Sequence, residues 1–250
     1  MNVRQALKRV ASRALPEDWY LALETSYWRT RLRLLAYPYE YRDELAELIS
    51  IGDTVLDVGA NVGQYSALLA RHVGAEGRVY AFEPLPHTFR VLQAVLKALS
   101  LHNVEPMRLA LAEFDGTAHM TEVVRDGGAR ESGLAHLTPA DAPAGPHVVP
   151  VARLDSLADR LDIRQCSLVK LDVEGAELLV LRGARTFLET RRPAILAEVD
   201  RGLSRRYETS PEDVYGYLDG LGYEPVEPRR GAEGRREPAV PSVLFRPLGS

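Results

Sequence analysis

Beyond Tyr41 the apolar positions fall into short runs that alternate with stretches of helical period. The segment "DELAELI" has the spacing of a helix and "DTVLDVG" that of a buried strand. "QYSALLARHV" is again helical, "GRVYAFEP" a strand, "HTFRVLQAVLKALSL" a long helix and "NVEPMRLAL" a third strand. After an interruption the alternation resumes with a strand in "CSLVKLD", a helix over about 176–189, a strand in "PAILAEVD" and a helix over about 211–221. Strands separated by helices and short glycine-containing connections run parallel, joined by right-handed crossovers. The last two runs, "YEPVEP" and "PSVLFRP", have no helix between them and should pair antiparallel. The pattern predicts an α/β fold with helices on both faces of a mostly parallel sheet.

Two stretches break the rhythm. Over residues 114–152, "GTAHMTEVV" and "HVVPVARL" read as short strands flanking a segment rich in Gly, Pro and Ala, which predicts an inserted β-hairpin with a mobile loop after the third strand. The polar run "RRGAEGRREP", 229–238, reads as a disordered turn between the last two strands. At the N-terminus, residues 1–36 place Leu7, Val10, Ala11 and Ala14 at helical spacing among Arg4, Lys8, Arg9 and Arg13, and Arg29, Arg31 and Arg33 follow. This is a basic amphipathic segment that can cap the domain or touch an anionic membrane surface or a partner; residues 37–250 form the main domain.

Composition narrows the function classes. A chain of 250 residues that is 46% hydrophobic can bury one large core. A net charge of −4 gives no field for nucleic acid, so a nucleic-acid partner is not expected. Cys166 has no second cysteine to pair with and sits ahead of an apolar strand, which predicts a buried inert thiol in a reducing compartment. No stretch reaches the roughly 18 apolar residues of a membrane span and the N-terminus lacks the apolar block of a secretory signal, so a cytoplasmic location is expected.

The chemistry starts at "VLDVGANVGQYSALLA", 55–70, a strand, a Gly-x-x-x-Gly turn at Gly59 and Gly63, and a helix. In open α/β sheets ligands lie beyond the carboxyl ends of the strands, where a glycine turn lets backbone approach them. The dinucleotide fingerprint needs a middle glycine, and Asn61 stands there. Asp57 at the strand end would repel a pyrophosphate but pair with a cation. A cofactor with a zwitterionic amino-acid end suits both features: Asp57 for its ammonium, the loop amides and helix N-terminus for its carboxylate. S-adenosylmethionine (SAM) has that end. Glu83, at the tip of the next strand and stiffened by Pro84, is placed to accept from both hydroxyls of a ribose.

Taken together, "DTVLDVGANVGQYSALLA", "GRVYAFEP", "LVKLDVEGAELLVLRGA", "RPAILAEV" and "VLFRP" resemble the FkbM-type methyltransferases, class I SAM-dependent enzymes. The resemblance spans about Tyr37 to Pro247. It implies a Rossmann-like class I methyltransferase fold, a seven-stranded sheet with the last strand antiparallel, and methyl transfer to a hydroxyl of a sugar, glycan or secondary metabolite. It places Asp57, Gly59, Ala60, Asn61, Gly63, Glu83 and Pro84 in the SAM site, and Glu113, in "LALAEFDG", near the adenine.

"LVKLDVEGAELLVL", 168–181, sets Asp172 and Glu174 where the fourth parallel strand ends beside the glycine loop, with Lys170 on the same side of the strand as Asp172. Asp172, Glu174 and Lys170 are therefore the candidates for handling the acceptor, and Gly175 leaves room for its approach. Glu177 lies inside the following helix and is expected to serve only that helix. Asp172, Glu198 and Asp200 end adjacent strands and offer a Mg²⁺ alternative that the resemblance does not require. His72, His87 and His102 are expected to be solvated; His136 in the inserted loop could serve as a base, and Tyr37, Tyr39 and Tyr41 could line an acceptor pocket or pack in the core. The competing functions are a noncatalytic SAM-binding partner and an NAD(P)-dependent oxidoreductase, the latter disfavoured by Asp57 and Asn61.

Overall fold

The strands of the main sheet are nearly continuous runs of Val, Leu, Ile, Ala and Phe, a composition suited to burial on both faces. The structure is a computed structural model and describes residues 15–34, 41–125, 129–139, 142–227 and 242–249. Seven strands form this sheet: β1 (Thr54–Val58), β2 (Arg78–Phe82), β3 (Val104–Met107), β8 (Leu168–Leu171), β9 (Ala194–Glu198), β10 (Tyr223–Val226) and β11 (Ser242–Pro247). Their order is β10-β11-β9-β8-β1-β2-β3, and β11 alone runs antiparallel to its neighbours. The expected Rossmann-like architecture is present, with the terminal antiparallel pair inserted beside β9.

Alternation along each strand divides the core in two. Leu56, Val58, Phe82, Val169, Leu171 and Ile195 point to one face, where α5 (Leu154–Arg160), α6 (Glu177–Gly183), α7 (Arg185–Arg191) and α9 (Pro211–Gly220) cover them with Leu157, Leu178, Leu188 and Leu218. Val55, Val79, Ala81, Leu168 and Leu196 point to the other face, beneath α2 (Arg42–Leu48), α3 (Gln64–Val73) and α4 (Pro86–Ala98), which supply Leu45, Leu68, Leu69, Leu92 and Leu96. The predicted helix over 176–189 is two helices that meet at Ala184.

The insertion differs most from expectation. The run "NVEPMRLAL" is not one strand: β3 ends at Met107, the chain turns at Arg108 and Leu109, and β4 (Ala110–Leu111) leaves the main sheet. A second sheet of order β4-β7-β5-β6 follows, built from β4, β5 (Gly116–Arg125), β6 (Ala129–Leu137) and β7 (His147–Ala152). The segment read as a mobile loop thus contributes β6, which pairs antiparallel with β5, while β7 pairs with the opposite edge of β5. Met120, Leu137, Val149 and Val151 join Leu85, Ala110 and Ala112 in its core, so this sheet rests on the rim of the main one.

At the N-terminal side, α1 (Glu17–Arg33) lies along α4. Glu17 and Asp18 pair with Arg90, and Glu24 lies 2.8 Å from Nε2 of His87, whose ring stacks on Tyr20. His87 is therefore paired rather than solvated. The predicted amphipathic stretch Leu7–Ala14, the turn 229–238, and Tyr37 and Tyr39 lie outside the described residues. Among the described residues no helix is long and apolar enough to cross a membrane.

Asn103, at the entry to β3, closes the end of α3. Its side-chain amide donates to the carbonyls of Ala70 and Gly74, each at 2.8 Å, two groups that the helix itself leaves open. Asn103→Ala should lower unfolding free energy by about 1–3 kcal/mol, seen as a lower urea midpoint with unchanged slope.

Candidate active site

β1 ends at Val58 and the chain turns sharply at Gly59, in the left-handed region at φ 78°. A Cβ there would stand 1.8 Å from the carbonyl oxygen of Asp172, so only glycine lets the β1 and β8 tips close on each other. The turn is held by its own sheet: the Gly59 and Ala60 amides donate to Phe82 O at 3.0 and 2.9 Å, and the Gly63 amide donates to Ala60 O. The Asn61 amide donates to Oε2 of Glu83 at 3.1 Å, and the Leu85 amide donates to its Oε1 at 2.9 Å. The loop amides expected to receive a cofactor carboxylate are thus directed at protein acceptors.

Above these strand tips lies a cavity of about 310 Å³. Gly59, Ala60, Asn61, Glu83 and Pro84 line one side, Lys170, Asp172, Glu174 and Glu198 another, and Leu109, Ala110, Leu111, Met120 and Leu137 close it from the second sheet. Three expected residues stand apart from its wall. Gly63 begins α3 behind the loop, where a Cβ would press on Leu92. Glu113 is half-exposed and turns outward, 3.6 Å from Arg182. Asp57 is wholly buried beneath the cavity.

Asp57 and Lys170 are directly paired residues of the β1–β8 ladder. The Lys170 ammonium stands 2.8 Å from Oδ2 of Asp172 and 3.7 Å from Oδ1 of Asp57, above the Tyr65 ring at 5.0 Å. The Ser66 hydroxyl donates to the other Asp57 oxygen at 2.6 Å. The cation beside Asp57 in the structure is Lys170 of the chain itself, where the strand-end reading expects the ammonium of a ligand. Burial pushes the Asp57 carboxyl up, partly offset by Lys170 and the Ser66 hydrogen bond. For Lys170 burial acts to lower the pKa, but the charges of Asp172 and Asp57 outweigh it and hold the ammonium protonated.

Asp172 and Glu198 sit at the tips of the adjacent strands β8 and β9 and share a hydrogen bond. Burial would raise Asp172, yet Lys170's charge and hydrogen bonds from Glu198 and Lys170 hold it below the usual carboxylate range. Glu198 goes the other way: burial, the hydrogen bond to Asp172 and the charges of Asp172 and Glu174 keep its proton on. Asp200, weighed with these two as a metal ligand, instead accepts from the Leu203 amide at 2.8 Å and caps α8 (Arg201–Ser204).

Glu174 occupies the left-handed region at φ 57°, which costs about 1–3 kcal/mol in a non-glycine residue. Its Oε2 is buried without a hydrogen-bond partner, and burial with the nearby Asp172 charge pushes its pKa up to about 8. Glu177 reaches back and accepts from the Val173 and Gly175 amides at 3.1 and 3.3 Å, so it pins the turn that presents Glu174. The sequence predicts a role only in its own helix, whereas these hydrogen bonds go to the turn before that helix. Glu83 is likewise raised to about 7 by burial, against its two amide hydrogen bonds.

Several participants carried little signal in the sequence. Tyr65 and Gln64 line the wall from the first turn of α3. Tyr207, in a single 3-10 turn (Arg205–Tyr207), donates its hydroxyl to Leu137 O at 2.8 Å and ties β6 to the cavity rim, while Arg206 donates to Glu174 O at 3.4 Å. His136, weighed as a base, lies in β6 on the cavity wall. Cys166 is buried, and burial raises its thiol pKa.

A family model described as the methyltransferase FkbM domain matches residues 57–225, from the Asp57 strand to β10. The chain belongs to the FkbM methyltransferase family. Its fold is also that of the methyltransferase FkbM of Methylobacillus flagellatus, at a TM-score of 0.52 and 17% identity over 82% of this chain and 50% of that one. A hexuronic acid methyltransferase of Haloferax volcanii is 26% identical over 65% of this chain and 59% of its own length. A protein-L-isoaspartate O-methyltransferase of Ignicoccus hospitalis is 44% identical over 64 residues, which are 26% of this chain and 30% of that protein. The matched region thus spans less than two thirds of each of these relatives.

The buried charge balance is directly testable. Lys170→Met leaves Asp57 and Asp172 without their cation and should cost about 3–5 kcal/mol in urea unfolding at neutral pH, and adding Asp57→Asn should recover a large part of it.

Proposed function

We propose that the chain is a SAM-dependent O-methyltransferase acting on a hydroxyl of a sugar, glycan or secondary metabolite. The observation that carries this reading is that one cavity joins the glycine turn and Glu83 to the Lys170, Asp172, Glu174 and Glu198 cluster. Membership of the FkbM family and the hexuronic acid methyltransferase relative support it, the latter for a sugar acceptor.

The residues present fit SAM. Glu83 is a buried carboxylate at a strand tip with each oxygen already holding one amide, which leaves lone pairs for the hydroxyls of a ribose. Gly59 and Ala60 line the cavity beside it. Lys170 and Asp172 present one charge of each sign to the cavity, the complement of a zwitterionic amino acid. When bound, SAM supplies a methyl group on a positively charged sulfur.

The chain's own contribution is placement and proton transfer. Asp172 is held ionised by Lys170 and oriented by Glu198, and it accepts a hydrogen bond from the acceptor hydroxyl. Glu174 Oε2 takes that hydroxyl's proton: it is buried and unpartnered, and a pKa of about 8 makes it an effective base near neutrality. The second sheet, tied down through Tyr207 and Leu137, excludes water and forms the acceptor side of the cavity.

S-adenosylhomocysteine should raise the melting temperature and NADH should leave it unchanged, which separates this reading from an oxidoreductase. Glu83→Gln should weaken S-adenosylhomocysteine binding roughly ten- to hundredfold, read by calorimetry.

Turnover of a glycan or metabolite hydroxyl, followed with methyl-labelled SAM, should rise with pH as Glu174 loses its proton, with a midpoint at or below about 8. Glu174→Gln should remove that rise and lower turnover by about 10²- to 10⁴-fold while cofactor binding survives. Wild-type turnover by both Glu174→Gln and Asp172→Asn would remove these residues from the proton transfer, and S-adenosylhomocysteine binding without transfer to any hydroxyl acceptor would leave a noncatalytic SAM-binding role. The same assay in EDTA should proceed at full rate; a loss restored by Mg²⁺ would place a metal on Asp172 and Glu198 instead.

A further inference from the structure

Helix α1 has two apolar edges, and among the described residues only one of them is packed. Leu21, Trp28 and the fully buried Leu32 pack inward with Val62, Val91 and Val95. On the opposite side Trp19 and Leu23 lie at four-residue spacing and Leu34 returns to the same side three turns later. Trp19 is 71% exposed, Leu23 52% and Leu34 72%. An isolated exposed leucine needs no explanation, but a helical stripe led by a largely exposed tryptophan does.

The charges of α1 are sorted with respect to that stripe. All three of its acids face cations of α4, Glu17 and Asp18 meeting Arg90 at the surface and the more buried Glu24 meeting His87. Its exposed arginines Arg29 and Arg33 flank the apolar stripe. Residues 1–14 add Arg4, Lys8, Arg9 and Arg13 and contain no acid. Residues 1–34 thus carry seven basic and three acidic side chains in a chain whose net charge is −4. An apolar stripe with tryptophan, edged by arginine on a helix whose acids are paired with cations of α4, complements an interface of lipid tails beneath anionic headgroups.

We infer that the outer face of α1 is a peripheral docking surface for an anionic lipid bilayer, with Trp19, Leu23 and Leu34 entering the interface and Arg29 and Arg33 meeting the headgroups. The rest of the chain, with its excess of acidic residues, is repelled by the same surface, which fixes α1 as the contacting side. This inference is independent of the proposed reaction, because none of these residues lines the cavity.

The test uses the full chain and sedimentation with vesicles of phosphatidylcholine, alone or mixed with phosphatidylglycerol. The protein should co-sediment with the mixed vesicles only, and high salt should weaken the binding. Replacing Arg29 and Arg33 by Gln should weaken it by about tenfold or more, and Trp19→Ser with Leu23→Ser by a similar factor, at unchanged melting temperature. In a Trp28→Phe background the emission of Trp19 should shift to the blue on adding mixed vesicles. If the serine pair fails to fold, the arginine pair and the emission shift decide. Failure to sediment with mixed vesicles, or undiminished binding by the arginine pair, overturns the inference. So does a dimer in solution that the serine pair dissociates and that excludes vesicle binding, since a second copy would then be the occupant.

Discussion

The whole site depends on one buried ammonium. Lys170 lies in the middle of the sheet, paired in register with Asp57 and two residues from Asp172, with almost no access to water. Taking an ammonium and two carboxylates out of water is tolerable only where each meets its opposite at close range. That requirement fixes the β1 and β8 tips relative to each other to within a hydrogen bond. Gly59 completes the constraint from the backbone side, because the Asp172 carbonyl occupies the space where any side chain would be. Charge and backbone together set the floor on which Glu83, Glu174 and Glu198 are displayed.

The insertion converts that floor into a cavity. β4 leaves the main sheet after only four residues of β3, and the second sheet folds its apolar face over the strand tips. A hydrogen bond from Tyr207 to Leu137 joins this sheet to the turn after α8, and the neighbouring Arg206 reaches the backbone of Glu174. Elements distant in sequence therefore meet around Glu174, whose strained backbone is held by the Glu177 carboxylate from below and Arg206 from the side.

The sheet, its helices and the glycine turn were legible in the sequence because each rests on a local period or on a residue type with a backbone requirement. Glu83 was legible as a strand-tip acid. The partner of Asp57 was not: six strands lie between β1 and β8 in the sequence, and only the register of β8 reveals Lys170. The position of Glu113 relative to the cavity was not legible for a related reason. The kink at Arg108–Leu109 moves β4 to the second sheet and leaves Glu113 facing Arg182 at the surface. β6 escaped notice because "ARESGLAHL" has neither strand periodicity nor β-branched residues, and it forms by pairing with β5. Glu198 was visible only as a possible metal ligand, since a carboxyl sharing a proton with its neighbour leaves no pattern in a single chain.

That shared proton explains why the site tolerates so much acid. Asp172, Glu174 and Glu198 line one wall, and the one ammonium among them is already matched by Asp172 and Asp57. Ionising all three would leave excess negative charge in a poorly solvated space, so Glu174 holds its proton to about 8 and Glu198 is also raised. Unfolded glutamates lose theirs near pH 4.5, so the folded state binds more protons between these values, and the contribution of these acids to stability declines as pH rises through that window. A cation entering the cavity reverses the balance, because it allows the carboxylates to ionise where they stand. Under the proposed function that cation is the cofactor, and the acids that weaken the empty fold are those that become bases when it is present.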